Sequence, residues 1–194
     1  MATEDVSRRP FSPPDPPLSD GRIRLRLPAA NDEQAVFEAC QDPEIQQWVP
    51  IPVPYRREHA HDWIAGAERG WSDGHHGALA IADASDDRFI GAIGLGPIDE
   101  HRASIGYWVV PAQRGRGLAT DAVRLLSGWA LLRLSLQRLE LYHFVGNDVS
   151  GHVAEKVGYR REGTLRAYVV IRGEPRDCVM YSLLVTDIET LGSR

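Results

Sequence analysis

The stretch Ile105–Thr120, IGYWVVPAQRGRGLAT, constrains this chain more than any other part of it. It begins as a strand, because its residues are aromatic and β-branched and alternate between two faces. Pro111 cannot donate to a sheet ladder and ends that strand. The turn Arg114-Gly115-Arg116-Gly117 follows, and Leu118, Ala122, Leu125, Leu126 and Trp129 then fall on one helical stripe. Glycines let a backbone take positive φ and come close to a ligand. The first amides of a helix lack internal partners, and the helix dipole makes that end positive. A strand, a glycine turn and a helix start therefore form a cradle for an anion such as a diphosphate. The turn is neither a P-loop nor the Gly-x-Gly-x-x-Gly dinucleotide loop. Taken alone it is weak evidence, because glycine turns before helices are common and usually only structural.

Composition narrows the setting. With 194 residues, 43% of them hydrophobic, the chain suits one domain with a substantial core. A net charge of -5 argues against a non-specific nucleic-acid binder. Cys40 and Cys178 stand in no Cys-x-x-Cys pair, so a structural metal site is not expected and a reducing cytoplasm is. There is no run of about 18 apolar residues and no signal-type apolar start, so no membrane association is expected.

The pattern along the chain predicts an α+β single domain with a mixed, mostly antiparallel sheet flanked by helices. Residues 1–20, crowded with prolines, read as a disordered or extended tail, and 21–194 as the domain. Arg22–Leu27 reads as a strand. A helix capped by Asn31 runs to about Cys40, and Asp42–Gln47 forms a short second helix. The rigid loop Trp48–Tyr55 either walls a pocket or covers the core. Arg57–Gly70 is helical, and His75-His76 lies in an exposed turn. Strands follow at Ala78–Asp83, Phe89–Leu95 and around Leu139–Leu141. Asn147–Val157 is a compact helix ending at Gly158. Arg166–Ile171 and Cys178–Val185 form a hairpin across Arg172–Arg176.

Two further stretches give the glycine turn a context. Asn147, Ser150, Val153, Glu155, Lys156, Gly158 and Tyr159 match the pattern Asn-x-x-Ser-x-x-Val-x-Glu-Lys-x-Gly-Phe/Tyr. The run Arg114-Gly115-Arg116-Gly117-Leu118-Ala119 matches Gln/Arg-x-x-Gly-x-Gly/Ala. With Asp42-Pro43-Glu44-Ile45 and Trp48-Val49-Pro50, these segments resemble the GNAT family of N-acetyltransferases, in particular its branch of ribosomal-protein N-terminal acetyltransferases. The resemblance spans about Gly21 to Val185.

That resemblance implies transfer of an acetyl or other short acyl group from acyl-coenzyme A directly to a primary amine. The acceptor is a small molecule or a protein N-terminus, and the chain a monomer or homodimer. It implies that the sheet splays at the acyl-coenzyme A site, with pantetheine against the backbone of Val109 and Val110. The pyrophosphate would sit on Arg114, Gly115, Arg116, Gly117, Leu118, Ala119 and Thr120. Asn147 would contact the pantetheine, cap its helix, or do both. Ser150 would protonate the leaving sulfur, cap the helix, or hold the coenzyme. No metal is implied. The family's two usual base positions carry Ser104 and Val169 instead of glutamate. Asp99, Glu100 and His101 lie in the turn entering the central strand, and Glu100 is the candidate base. An alternative of a different class is an acyl-coenzyme A sensor or partner-binding module on the same fold, without turnover.

Overall fold

The computed structural model describes residues 11–74, 76–98 and 101–191. In chain order the elements are β1 (Leu18–Ser19), β2 (Ile23–Arg26), α1 (Glu33–Ala39), α2 (Pro43–Trp48) and α3 (Arg57–Ser72). Then come β3 (Gly77–Asp83), β4 (Phe89–Ile98), β5 (Arg102–Val109), α4 (Leu118–Arg133) and β6 (Arg138–Phe144). The chain ends with α5 (Asp148–Val157), β7 (Arg160–Ile171), β8 (Glu174–Leu184) and α6 (Val185–Leu191). The strands form one sheet in the order β1-β2-β3-β4-β5-β6-β8-β7. All neighbours are antiparallel except β5 and β6, so the sheet is mixed and mostly antiparallel, as the sequence predicts.

Both faces of the sheet are covered. Alternation along β3 shows it: Leu79 and Ile81 enter the core beneath α4, while Ala80 enters a second cluster with Val36, Ala60 and Phe89 beneath α1 and α3. The parallel pair gives the fold its functional shape. β5 and β6 pair only at Arg102↔Arg138, Ala103↔Leu139 and Ser104↔Glu140. Beyond Ser104 the two strands diverge, although β5 runs on to Val109 and β6 to Phe144. The middle of the sheet is therefore a wedge that narrows toward Ser104.

Several boundaries differ from expectation. The second half of the supposed tail is ordered: the Phe11 amide donates to the Trp71 carbonyl at 3.0 Å, Pro14 is buried, and Leu18–Ser19 pairs with β2. Proline density hid these few apolar anchors. Asn31 is not the first cap. Asp32 precedes α1, and its side chain caps no amide of that helix: it reaches back to accept from the Ala29 amide at 2.8 Å and holds Arg26 with both carboxylate oxygens at 2.7 and 3.0 Å. The last hairpin is longer than predicted, since β7 and β8 close directly on Arg172-Gly173, both at positive φ, a two-residue turn whose twist suits a hairpin. Helix α6 had no counterpart in the expectation.

Candidate active site

The glycine turn becomes a helix start open to solvent. Gly115 has φ 72° and Gly117, the residue before α4, has φ 81°. A side chain at either position would meet nothing within 4 Å, so conformation rather than crowding demands glycine there. No side chain caps α4. The first turn closes through the Asp121 amide on the Gly117 carbonyl at 3.1 Å, which leaves the earlier amides directed into a cleft lined by Gly117, Leu118, Ala119 and Thr120. Asp121 would place a negative charge beside this positive end, but Arg22 binds it at 2.5 Å and Arg124 at 3.3 Å. Arg22 also donates to the Arg116 carbonyl at 3.0 Å, bracing the turn from behind.

The two arginines of the turn are less available than the sequence suggests. Arg114 donates to Asp42 at 2.8 Å and to Val109 O at 3.3 Å, and pairs with Glu44. It is a strut between the cradle and the start of α2. Arg116 turns to Gln113. Backbone amides and the helix dipole are thus left as the main anion-binding elements of the cradle.

The wedge between β5 and β6 leads to this cradle. Backbone groups alternate in direction along a strand. The Val110 amide donates to the Ile90 carbonyl at 3.0 Å, on the β4 side. Val110 is therefore not a free donor, a correction to the expected pair. The backbone groups of Tyr107 and the Val109 amide face the wedge, where an extended chain can pair with them as an added strand, while the Val109 carbonyl already accepts from Arg114.

Helix α5 forms the far wall. Asn147 occupies the residue before it, yet its side chain makes no capping bond. It lines the cleft, so the capping reading does not hold and its amide is available to a ligand. Ser150, the third residue of α5, also lines the cleft. Its hydroxyl lies 2.9 Å from the Tyr107 hydroxyl, across the wedge. Burial pushes the Tyr107 phenol up to about 12, with the Ser150 hydrogen bond acting in the opposite direction. Sequence reasoning missed Tyr107. Its signal is a hydroxyl on the inward face of β5, between buried Ile105 and Val109.

On the other face of β5 the cleft, about 1290 Å³ in all, is walled by Trp48, Trp63, Trp108 and Tyr142. Trp48 therefore does wall a pocket, while Tyr55 is buried in the core. Arg172, from the β7–β8 turn, donates to the carbonyls of Gln46 at 2.8 Å and Ile51 at 3.1 Å, tying the hairpin to the Trp48 loop. Ser104 and Val169, at the positions of the missing carboxylates, both line the cleft. Gly106 sits on the same face as Ser104 and Trp108, exposed in the middle of the sheet, and a Cβ there would meet nothing within 4 Å. The proposed base Glu100, with Asp99, lies outside the described residues.

The arrangement has counterparts among known proteins. Residues 22–160 match the family model described as an acetyltransferase (GNAT) domain. The chain is 25% identical over 171 residues to the uncharacterized N-acetyltransferase YoaA of Bacillus subtilis, covering 87% of this chain and 97% of that protein. It is 29% identical over 109 residues to the spermidine N(1)-acetyltransferase of Escherichia coli, covering 51% of this chain and 59% of the other. The fold superposes with a TM-score of 0.77 on the ribosomal α-N-protein acetyltransferase RimL in complex with coenzyme A, at 20% identity, over 88% of this chain and 98% of that one. A splayed parallel pair opening onto an uncapped helix start, together with a family match over most of the chain, places the protein in the GNAT family of acetyltransferases, which move an acyl group from acyl-coenzyme A to an amine.

Proposed function

We propose that this chain acetylates a primary amine by direct transfer from acetyl-coenzyme A. The observation that carries the reading is the wedge between β5 and β6, which ends at the open amides of α4. Its residues fit the coenzyme: two glycines at positive φ with open space beside them, an asparagine that caps nothing, and strand groups on Tyr107 and Val109 without a neighbouring strand. When bound, the coenzyme supplies an activated acyl thioester.

The protein's own residues do the rest. The amides of Gly117, Leu118, Ala119 and Thr120 hold the diphosphate, Asn147 holds the pantetheine, and the β5 edge fixes its direction. A β5 amide facing the wedge polarises the acyl carbonyl, and a fixed dipole of this kind is often the largest catalytic contribution. Ser150 faces the leaving sulfur and gives it a proton. The aromatic side, Trp48, Trp63, Trp108 and Tyr142, receives the amine. Acceptors with apolar or neutral surroundings around the amine suit these walls, whether small molecules or protein N-termini.

The test is thiol release from acetyl-coenzyme A against a panel of primary amines. Release that depends on an amine and saturates in it supports the reading. Coenzyme binding without turnover across the panel would favour a sensor, a reading motivated by Ser104 and Val169 where glutamates are usual.

A further inference from the structure

We propose that Tyr107 is a positioning residue for the leaving group: by donating to Ser150 Oγ it turns the serine hydrogen toward the sulfur. The inference rests on the acyltransferase reading above. The two hydroxyls come from two separate elements, β5 and α5, and stand 43 positions apart in sequence. No backbone pairing joins β5 to β6 here, since their ladder ends at Ser104. The 2.9 Å contact between the hydroxyls is thus a side-chain bridge spanning the mouth of the wedge.

Chemistry sets the direction of the bond. A phenol is the stronger acid of the two hydroxyls and the better donor, whereas the serine oxygen keeps its lone pairs undelocalised and is the better acceptor. Burial keeps the phenol protonated throughout the working range, so the donor is always loaded. With Tyr107 donating, the hydrogen of Ser150 has no role in that bond and is free to face the cleft. Ser150 does not spend its hydroxyl as the first cap of α5, because Asn147 precedes the helix and Ser150 is three residues in.

The proton balance is complete. The amine nitrogen bonds to the acyl carbon and the carbon–sulfur bond breaks, its electron pair staying on sulfur. The Ser150 proton goes to sulfur as the Tyr107 proton moves to Ser150 Oγ. The proton lost by the nitrogen returns through water to Tyr107, so amide and free thiol form with no net change in the protein.

The experiment is a double-mutant cycle of Tyr107→Phe and Ser150→Ala, reading kcat, donor KM, melting temperature and the response of kcat to added buffer acid. Tyr107→Phe should lower kcat by about tenfold, less than the roughly 10²–10⁴-fold of a direct general acid because it acts through Ser150, with donor KM and melting temperature held. In the Ser150→Ala background the same change should have no further effect. Small buffer acids should restore part of kcat in either variant and leave the wild type unmoved, which a packing role would not produce. Wild-type kcat in Tyr107→Phe overturns the inference. So does an equal loss in both backgrounds, with or without a lower melting temperature, because it marks independent or purely structural action. A wild-type chain that releases no thiol with any amine removes the acyltransferase reading and this inference with it. Turnover in the wild type with Tyr107→Phe unchanged removes the inference alone.

Discussion

Gly106 offers the sharpest separation of folding from function. It lies in the interior of β5, opposite Gly94 in the register. Gly94 has a packing reason to be glycine, since a Cβ there would meet the Gly77 carbonyl at 2.8 Å. Gly106 has none, because its backbone is not at positive φ and a Cβ would meet nothing within 4 Å. Glycine in a strand interior costs roughly 0.5–1 kcal/mol relative to alanine. Gly106→Ala should therefore stabilise the fold by about that much, raising the melting temperature by about 1–4 °C for a domain of this size. The added methyl projects into the cleft between Ser104 and Trp108. If the acceptor uses that space, the intrusion should cost on the order of 1–3 kcal/mol, or about 10–200-fold in acceptor kcat/KM. Gly106→Val should deepen the loss, while donor affinity should hold because the cradle is untouched. Thermal melting and a thiol-release assay with varied acceptor read both quantities on one sample. A lower melting temperature would show that the site is packed after all. An unchanged kcat/KM would show that the acceptor does not pass over Gly106.

Three further outcomes follow from other parts of the structure. Gly117→Glu adds a bulky anion at the open start of α4, so calorimetry should show coenzyme A affinity falling at least about tenfold, or 1.4 kcal/mol, in a folded protein; unchanged affinity would displace the diphosphate from this cradle. Asp32 is 3% exposed and bonds Arg26 in two places, so Asp32→Ala removes the more buried of the two carboxylates on that guanidinium, leaving Asp87 at 3.0 Å, and should cost about 1.5–3 kcal/mol in denaturant unfolding; a loss under about 0.5 kcal/mol would mean that Asp87 and water compensate the site. The Arg138 and Ser182 hydrogen bonds hold the Glu162 carboxyl down at about 2, against an ordinary 4.5. A depressed carboxylate stabilises the fold above its unfolded pKa and loses that contribution as pH falls from about 4.5 toward 2. Glu162→Gln should flatten the fall of melting temperature across that window, modestly because the side chain is 43% exposed. An identical acid profile would assign the loss to other groups.

What was legible in the sequence was local. The strand, the glycine turn and the helix stripe of α4 are fixed by neighbours in the chain, and Gly117 at φ 81° meets a demand that glycine satisfies best. The short helix read at Asp42–Gln47 is equally local, and the structure adds that Asp42 caps it by accepting from the Ile45 amide. What escaped was set by partners far off in sequence. Arg114 looks like a phosphate ligand until Asp42 and Glu44, 72 and 70 positions away, claim its guanidinium. Tyr107 looks like one more aromatic of a buried strand until Ser150 arrives across the wedge. Leu18 and Phe11 are too few among prolines to announce that their segment packs, and only Leu25 and Trp71 reveal it.

The most direct test of the whole account is steady-state thiol release in the wild-type chain, with acetyl-coenzyme A held saturating and primary amines varied, alongside calorimetry of coenzyme A. The account predicts coenzyme binding together with release that requires an amine, saturates in it, and yields one acetylated amine per free thiol. Tight coenzyme binding with no amine-dependent release across small amines and peptides with free N-termini would contradict it, leaving a coenzyme-binding module without transfer.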